Sequence, residues 1–120
     1  MKLTKIEEIL EAKVLTGKYD PEIDVKIGCS SDLMSEILAF GKPGSILLTS
    51  LMNIQVINTA NVADIKAVCF VMGKIPTENI INLAKKNDIV VLITELTTFE
   101  SCGRLYKNGL NSCGYFNLDK

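Results

Sequence analysis

Ala67-Val68-Cys69-Phe70-Val71-Met72-Gly73-Lys74-Ile75-Pro76-Thr77 is the stretch whose reading decides the fold of this chain. Five apolar residues in a row lack the alternation of a strand with one wet face, so both faces of this strand must be covered. The glycine, proline and threonine that follow break the extended chain and restart it as a helix. The same order recurs on either side. Upstream, Ile46-Leu47-Leu48 runs into Thr49, Ser50 and Asn53, and downstream Ile89-Val90-Val91-Leu92-Ile93 runs into Thr94, Glu95, Thr97 and Thr98. Earlier still, Ile23 to Ile27 leads to Gly28, Ser30, Ser31 and Asp32. Buried β-branched runs alternating with helices predict an α/β fold with a mostly parallel central sheet built from βα repeats. Ligands of such sheets settle beyond the carboxyl ends of the strands, which is where these polar residues fall.

Working outward, Thr4-Lys5-Ile6-Glu7 has the pattern of a capping box, with Ile6, Ile9 and Leu10 as the apolar stripe of a first helix. A brief strand is expected at Val14-Leu15, ending in the turn Gly17 to Pro21. Ile23, Val25 and Ile27 alternate with Asp24 and Lys26, the pattern of a half-exposed strand. Ser31 or Asp32 would then cap a helix carrying Leu33, Met34, Ile37 and Leu38, stopped by Gly41 and Pro43. Residues 54 to 62 are rich in strand formers, but a helix capped by Asn53 keeps the alternation of elements intact. Ile80, Leu83 and Ala84 form the buried face of the next helix, which Asn87-Asp88 ends. Thr97-Thr98-Phe99-Glu100 offers a second capping box, with Phe99, Cys102, Leu105 and Tyr106 at helical spacing and Gly109 as the stop.

A chain of 120 residues is one domain, expected over 1–110 with a loosely held tail at 111–120, and it is long enough to bury a core without metals or disulfides. Thirteen Lys and Arg against 14 Asp and Glu, with no basic block, argue against a nucleic-acid partner. The apolar runs are too short to span a bilayer, and the start Met-Lys-Leu-Thr-Lys lacks the apolar centre of a signal peptide, so a cytoplasmic protein without a membrane partner is expected. Cys29, Cys69, Cys102 and Cys113 form no C-x-x-C pair and the chain has no histidine, which leaves a metal site without a recognisable ligand set. Cys69 reads as a small buried hydrophobe and Cys113 as the exposed cysteine, and a reducing compartment disfavours disulfides.

Nucleophilic triads are impossible without histidine, and no Walker loop or dinucleotide fingerprint occurs. Asp32 differs from the surface carboxylates because it follows a strand and opens a helix; its simplest role is an N-cap, and the same holds for Asn53, Thr77 and Thr97. Helix starts also present free backbone N–H groups and a positive dipole end to an anion, with Lys74 and Arg104 as candidate counter-charges.

The ordered series Gly28-Cys29-Ser30-Ser31-Asp32-Leu33-Met34-Ser35, Gly44 before a strand ending in Thr49, Asn53, Gly73-Lys74-Ile75-Pro76, and Thr94 with Phe99-Glu100-Ser101-Cys102-Gly103-Arg104-Leu105-Tyr106 and Gly109-Leu110 resembles a stand-alone DRTGG domain. The resemblance runs from about Met1 to Leu110. It implies a fold similar to the N-terminal domain of HPr kinase/phosphorylase and a regulatory or oligomerising role, since such domains also occur between CBS domains in regulated pyrophosphatases. The segment that names the family reads Asp24-Val25-Lys26-Ile27-Gly28-Cys29 here, without the arginine or the second glycine. A histidine common in the family after the Thr49 strand is replaced, with Leu51-Met52 standing just before Asn53, and the kinase domain of the HPr enzyme is absent.

Together these features lead to a non-catalytic regulatory or oligomerisation module without cofactor or metal. Its expected ligand is a small anion such as a nucleotide or phosphometabolite, held by Ser31, Asp32, Thr49, Asn53, Gly73, Lys74, Thr94 and Phe99. Two readings compete with it: a small enzyme acting on a phosphorylated metabolite through Asp32 and Lys74, and a structural partner domain of a larger cytosolic complex. A homodimer is expected, with Phe40, Leu51 and Met52 at element ends as its apolar surface.

Overall fold

The computed structural model describes residues 1–115. Along them run α1 (Leu3–Ile9), β1 (Lys13–Val14), β2 (Ile27–Ser30), α2 (Met34–Phe40), β3 (Ser45–Thr49), α3 (Gln55–Val62), β4 (Ala67–Phe70), α4 (Glu78–Lys86), β5 (Val90–Ile93), α5 (Thr98–Lys107) and β6 (Asn111–Ser112). The strands form one sheet in the order β1-β5-β4-β3-β2-β6. All neighbours pair in parallel except β1, which runs antiparallel to β5 along the edge. The fold is therefore the mostly parallel α/β sheet with βα repeats that the apolar runs dictate.

Alternate residues of the central strands feed two separate cores. Ile46, Leu48, Ala67, Cys69, Val90 and Leu92 face Leu3 and Ile6 of α1 and Leu105 of α5. Leu47, Val68, Phe70 and Val91 face Ile37 of α2, Val56, Ile57 and Ala60 of α3, and Ile80 and Ala84 of α4. The continuous apolar runs are thus period-two patterns in which both phases are apolar, because helices cover both sides. Helices α2, α3 and α4 connect consecutive parallel strands on one face, whereas α5 leaves β5 on the opposite face and carries the chain back across the sheet to β6. The chain consequently parts between β4 and β5, the topological switch point where a crevice opens.

Several local expectations change once distant segments dock. Helix α1 starts at Leu3, its N-cap Lys2 makes no side-chain hydrogen bond, and the Thr4 capping box does not form; Glu7 instead accepts a hydrogen bond from the Tyr19 hydroxyl at 2.8 Å. The short strand lies one residue earlier than expected, pairing Lys13 with Ile93. Residues 23–25 are drawn to the N-terminus rather than the sheet: Leu3 N–H donates to Ile23 O, Val25 N–H donates to Met1 O, and Lys2 bridges Asp24. Sheet pairing begins only at Ile27, so Gly28, Cys29 and Ser30 are strand rather than loop. A Cβ on Gly28 would stand 3.0 Å from the Leu110 Cδ2, which is why the bare backbone suits this position. Residues 55–62 are the helix that the alternation of elements required. Asn111 and Ser112 add the edge strand β6 to Ile27 and Gly28, while residues 116–120 of the expected tail lie outside the described residues.

The helix starts divide by mechanism. Thr77 and Thr97 cap as their spacing indicates, their hydroxyl oxygens accepting from the N–H groups of Ile80 and Glu100. Neither Ser31 nor Asp32 caps α2; Leu33 occupies the N-cap position without a side-chain bond. Asn53 sits one residue before the α3 N-cap, Ile54, and its Oδ1 accepts from Gln55 N–H in a two-residue turn. On α5 only Leu105 and Ser101 are buried, and Phe99 and Tyr106 of the expected stripe are exposed by 89% and 71%.

Candidate functional site

Asp32 is placed by a loop that leaves β2 and bends toward the end of β3 instead of entering α2 directly. Its carboxylate accepts three hydrogen bonds, from the Thr49 hydroxyl, the Ser50 N–H and the Ser50 hydroxyl, each at 2.8 Å. The Lys74 ammonium, from the loop after β4, donates to Ser50 O at 3.1 Å and completes a network across three strand ends. The Ser50 N–H, above all, holds the Asp32 carboxyl below the usual carboxylate range; the two hydroxyls and the positive field of Lys74 act in the same direction, against partial desolvation. An ionised carboxylate with its donors already in place is poorly suited to accept or deliver a proton at neutral pH. It does fix the positions of Thr49, Ser50 and the Lys74 loop relative to one another.

At the switch point the loops after β4 and β5 are joined by two backbone bonds, Met72 N–H to Leu96 O at 2.8 Å and Gly73 N–H to Thr94 O at 3.0 Å. Met72 and Gly73 adopt successive left-handed conformations, with φ of 68° and 70°, and this turns the chain back over β5. The Thr94 side chain is buried: its hydroxyl donates to Leu10 O at 2.6 Å and accepts from Leu96 N–H at 3.2 Å. Above it opens a cavity of about 470 Å³ bordered by Lys13, Gly73, Ile75, Glu95 and Leu96. Glu11 also borders it and is paired with Arg104 at 2.8 Å.

A second cavity, about 390 Å³, lies between α5 and the strands β2 and β6. Leu48, Leu105, Leu110, Phe99 and Tyr106 make its wall apolar and aromatic, while Ser30, Asn111 and Ser112 supply polar groups at its edge. Phe99 and Gly103 also border a groove of about 450 Å³ that carries Arg104, Lys107 and Asn108. No Cβ interrupts the saddle between the two at Gly103, where added carbon would meet nothing within 4 Å.

The structure thus joins Asp32, Thr49 and Lys74 through Ser50, and joins Gly73 to Thr94. Phe99 stands apart on α5, and Asn53 is occupied in its own turn. Ser31 turns toward α2, donating to Glu36 Oε1 at 2.8 Å and accepting from Leu33 N–H. Ser50 and Tyr106 were not singled out as site residues from sequence. A hydroxyl directly after a buried strand was the available signal for Ser50, and the aromatic seven residues after Phe99, two turns along the same helix face, was the signal for Tyr106. Among the described residues no group of three or more Cys, Asp and Glu is positioned to hold a metal, and no helix is long and apolar enough to cross a membrane.

The chain matches no protein-family model and no curated protein. Among solved structures it is similar to the CBS and DRTGG domains of the regulatory region of Clostridium perfringens pyrophosphatase, complexed with the activator diadenosine tetraphosphate. The TM-score is 0.67 at 18% identity, over 87% of this chain and 45% of that one. The likeness is one of fold, to a regulatory rather than a catalytic region, and this chain corresponds to less than half of that neighbour's length.

Proposed function

We propose that this protein is a non-catalytic regulatory module that binds a small anionic ligand of the nucleotide class at the strand carboxyl ends. The observation that carries the reading is the aromatic cavity, where Phe99 and Tyr106 leave ring surface in solvent beside Leu48, Leu105 and Leu110. Exposed rings next to an apolar recess suit a flat heterocycle, because stacking and burial are gained without displacing any internal contact. Lys74 lies outside the lining of that cavity, on the loop after β4, and would supply the counter-charge to a ligand that extends from the cavity along the strand ends, its position set by its bond to Ser50 O. The ligand-bound state of the structural neighbour supports the same class of ligand. Asp32 as an ionised, fully engaged carboxylate supports a binding rather than a catalytic role.

The test is a thermal-shift titration with ATP, AMP and diadenosine tetraphosphate, with inorganic polyphosphate as the base-free control. A ligand that binds only the folded chain stabilises it by about 2.7 kcal/mol at a hundred times its Kd. Phe99→Ala should weaken nucleotide binding about tenfold without loss of fold, since the ring is exposed. Lys74→Ala should weaken nucleotide and polyphosphate alike. No shift with any nucleotide at millimolar concentration would sink the proposal.

Self-association is a second reading with its own observation, although not through the surface expected from sequence. Phe40, Leu51 and Met52 are half-buried against the core under α2, α3 and α4. Leu33 and Leu38, at 56% and 54% exposure, are the apolar residues that flank and line α2, and Val62 at 75% ends the adjoining α3. Burying them against a second copy would produce a two-fold dimer. Light scattering on wild type and Leu38→Glu checks it: a monomer in both removes this reading.

A further inference from the structure

The β2–β6 ladder pairs Ile27 with Asn111 and Gly28 with Ser112, so the next rung brings Cys29 opposite Cys113. Paired residues on neighbouring parallel strands lie about 4.8 Å apart with side chains on the same face, inside the span that a disulfide bridges. The two side chains are neighbours: Cys113 packs against the core cluster that contains Cys29, and both border the aromatic cavity. Both are free thiols. They differ in access. Cys29 is 3% exposed, whereas Cys113 is half-buried and borders both the aromatic cavity and a recess of about 240 Å³ with Ser30, Phe40, Gly114 and Tyr115.

We propose that Cys113 and Cys29 form a thiol–disulfide exchange site, in which Cys113 takes up a low-molecular-weight disulfide and Cys29 resolves it into a cross-link between β2 and the C-terminal edge strand. In the first step the Cys113 thiolate attacks one sulfur of the incoming disulfide. That S–S bond breaks, and the departing thiolate takes up the proton that Cys113 released. In the second step Cys29 gives up its proton, bonds to Cys113 Sγ and expels the second small thiolate, which is protonated in turn. The protein loses two hydrogens and the small disulfide is reduced to two thiols. Burial, first, and then the neighbouring Cys113 push the Cys29 thiol up to about 11, which fits it to the resolving role rather than to first attack. The remaining two cysteines are less well disposed, because Cys69 is completely buried under Cys102 and α5.

Native protein incubated with glutathione disulfide should lose two hydrogens by intact mass, and a non-reducing digest should contain one peptide joining Cys29 to Cys113. Cys29→Ser should stop at a single glutathionyl adduct on Cys113, and Cys113→Ser should carry no adduct on Cys29. In wild type quenched with acid over time, the Cys113 adduct should precede the cross-link, a readout that does not depend on either variant folding. The closed loop spans most of the chain, so the oxidised form should melt about 5–15 °C higher. A cross-link between Cys69 and Cys102, a wild-type reaction that ends at the mixed disulfide, or no reaction at Cys113 in wild type would each overturn the proposal.

Discussion

The Thr49 hydroxyl donates to the Asp32 carboxylate at 2.8 Å, and through this bond Asp32 is held to the end of β3 rather than to the helix it precedes. Ser50 adds two more donors to the same carboxylate, and Lys74 closes the network from the loop after β4.

Asp32→Asn should lower stability by about 1–2 kcal/mol in urea unfolding, since an amide turns one donor toward donors and a charge-assisted set is replaced by a weaker one. The pH dependence gives a second readout. The folded-state carboxyl lies below its unfolded value, so its stabilising contribution is complete above the ordinary carboxylate range and is lost as pH falls through the lowered value. Wild type should therefore lose stability on acidification more steeply than Asp32→Asn. Some acid sensitivity should persist in the variant, because Lys26 and the N-terminal ammonium lower the Asp24 carboxyl to about 2. Parallel acid limbs in the two proteins would refute this account of Asp32.

Thr94→Val should cost about 2–3 kcal/mol. The hydroxyl is buried, and its loss strands both Leu10 O and the Leu96 N–H. Thr94→Ser keeps the donor and acceptor and should recover most of that loss. Chemical denaturation of the two variants separates the hydrogen bonds from the methyl group.

Two glycines should respond to alanine with opposite signs. Gly73 has a φ of 70°, where a Cβ is strained even in open space, so Gly73→Ala should destabilise by about 1 kcal/mol. Gly103 lies inside α5 with nothing within 4 Å of an added Cβ, so Gly103→Ala should stabilise by about 0.4–1 kcal/mol. The methyl would also stand on the saddle beside Phe99, so this variant should be more stable yet bind nucleotide less tightly. Paired thermal melts with and without ligand check both halves.

Much of the architecture was legible because it depends on neighbours in sequence. Ile46-Leu47-Leu48, Ala67 to Val71 and Ile89 to Ile93 can be apolar throughout only if both faces of each strand are covered, and they became β3, β4 and β5. Thr77 and Thr97 act on N–H groups three residues away, within reach of any local reading. The segment 23–30 was misjudged for the opposite reason. Its alternation is real, but Met1 and Leu3 claim the backbone of Ile23 and Val25, and no periodicity records that competition.

What the sequence by itself determined is the number, type and succession of the elements from β2 to α5, because helix periodicity, strand burial and capping are settled within a few residues along the chain. Only the tertiary structure decided the partners. Asp32 reads locally as a helix cap, yet Thr49 and Ser50 arrive from 17 and 18 residues away with three donors, and a carboxylate gains more from three directed bonds than from one cap. Phe99 and Tyr106 became cavity walls rather than core, and Cys29 came to face Cys113, through the return of the chain across the sheet to β6. That return joins segments more than eighty residues apart, and such contacts depend on how the layers pack, not on the pattern within either segment.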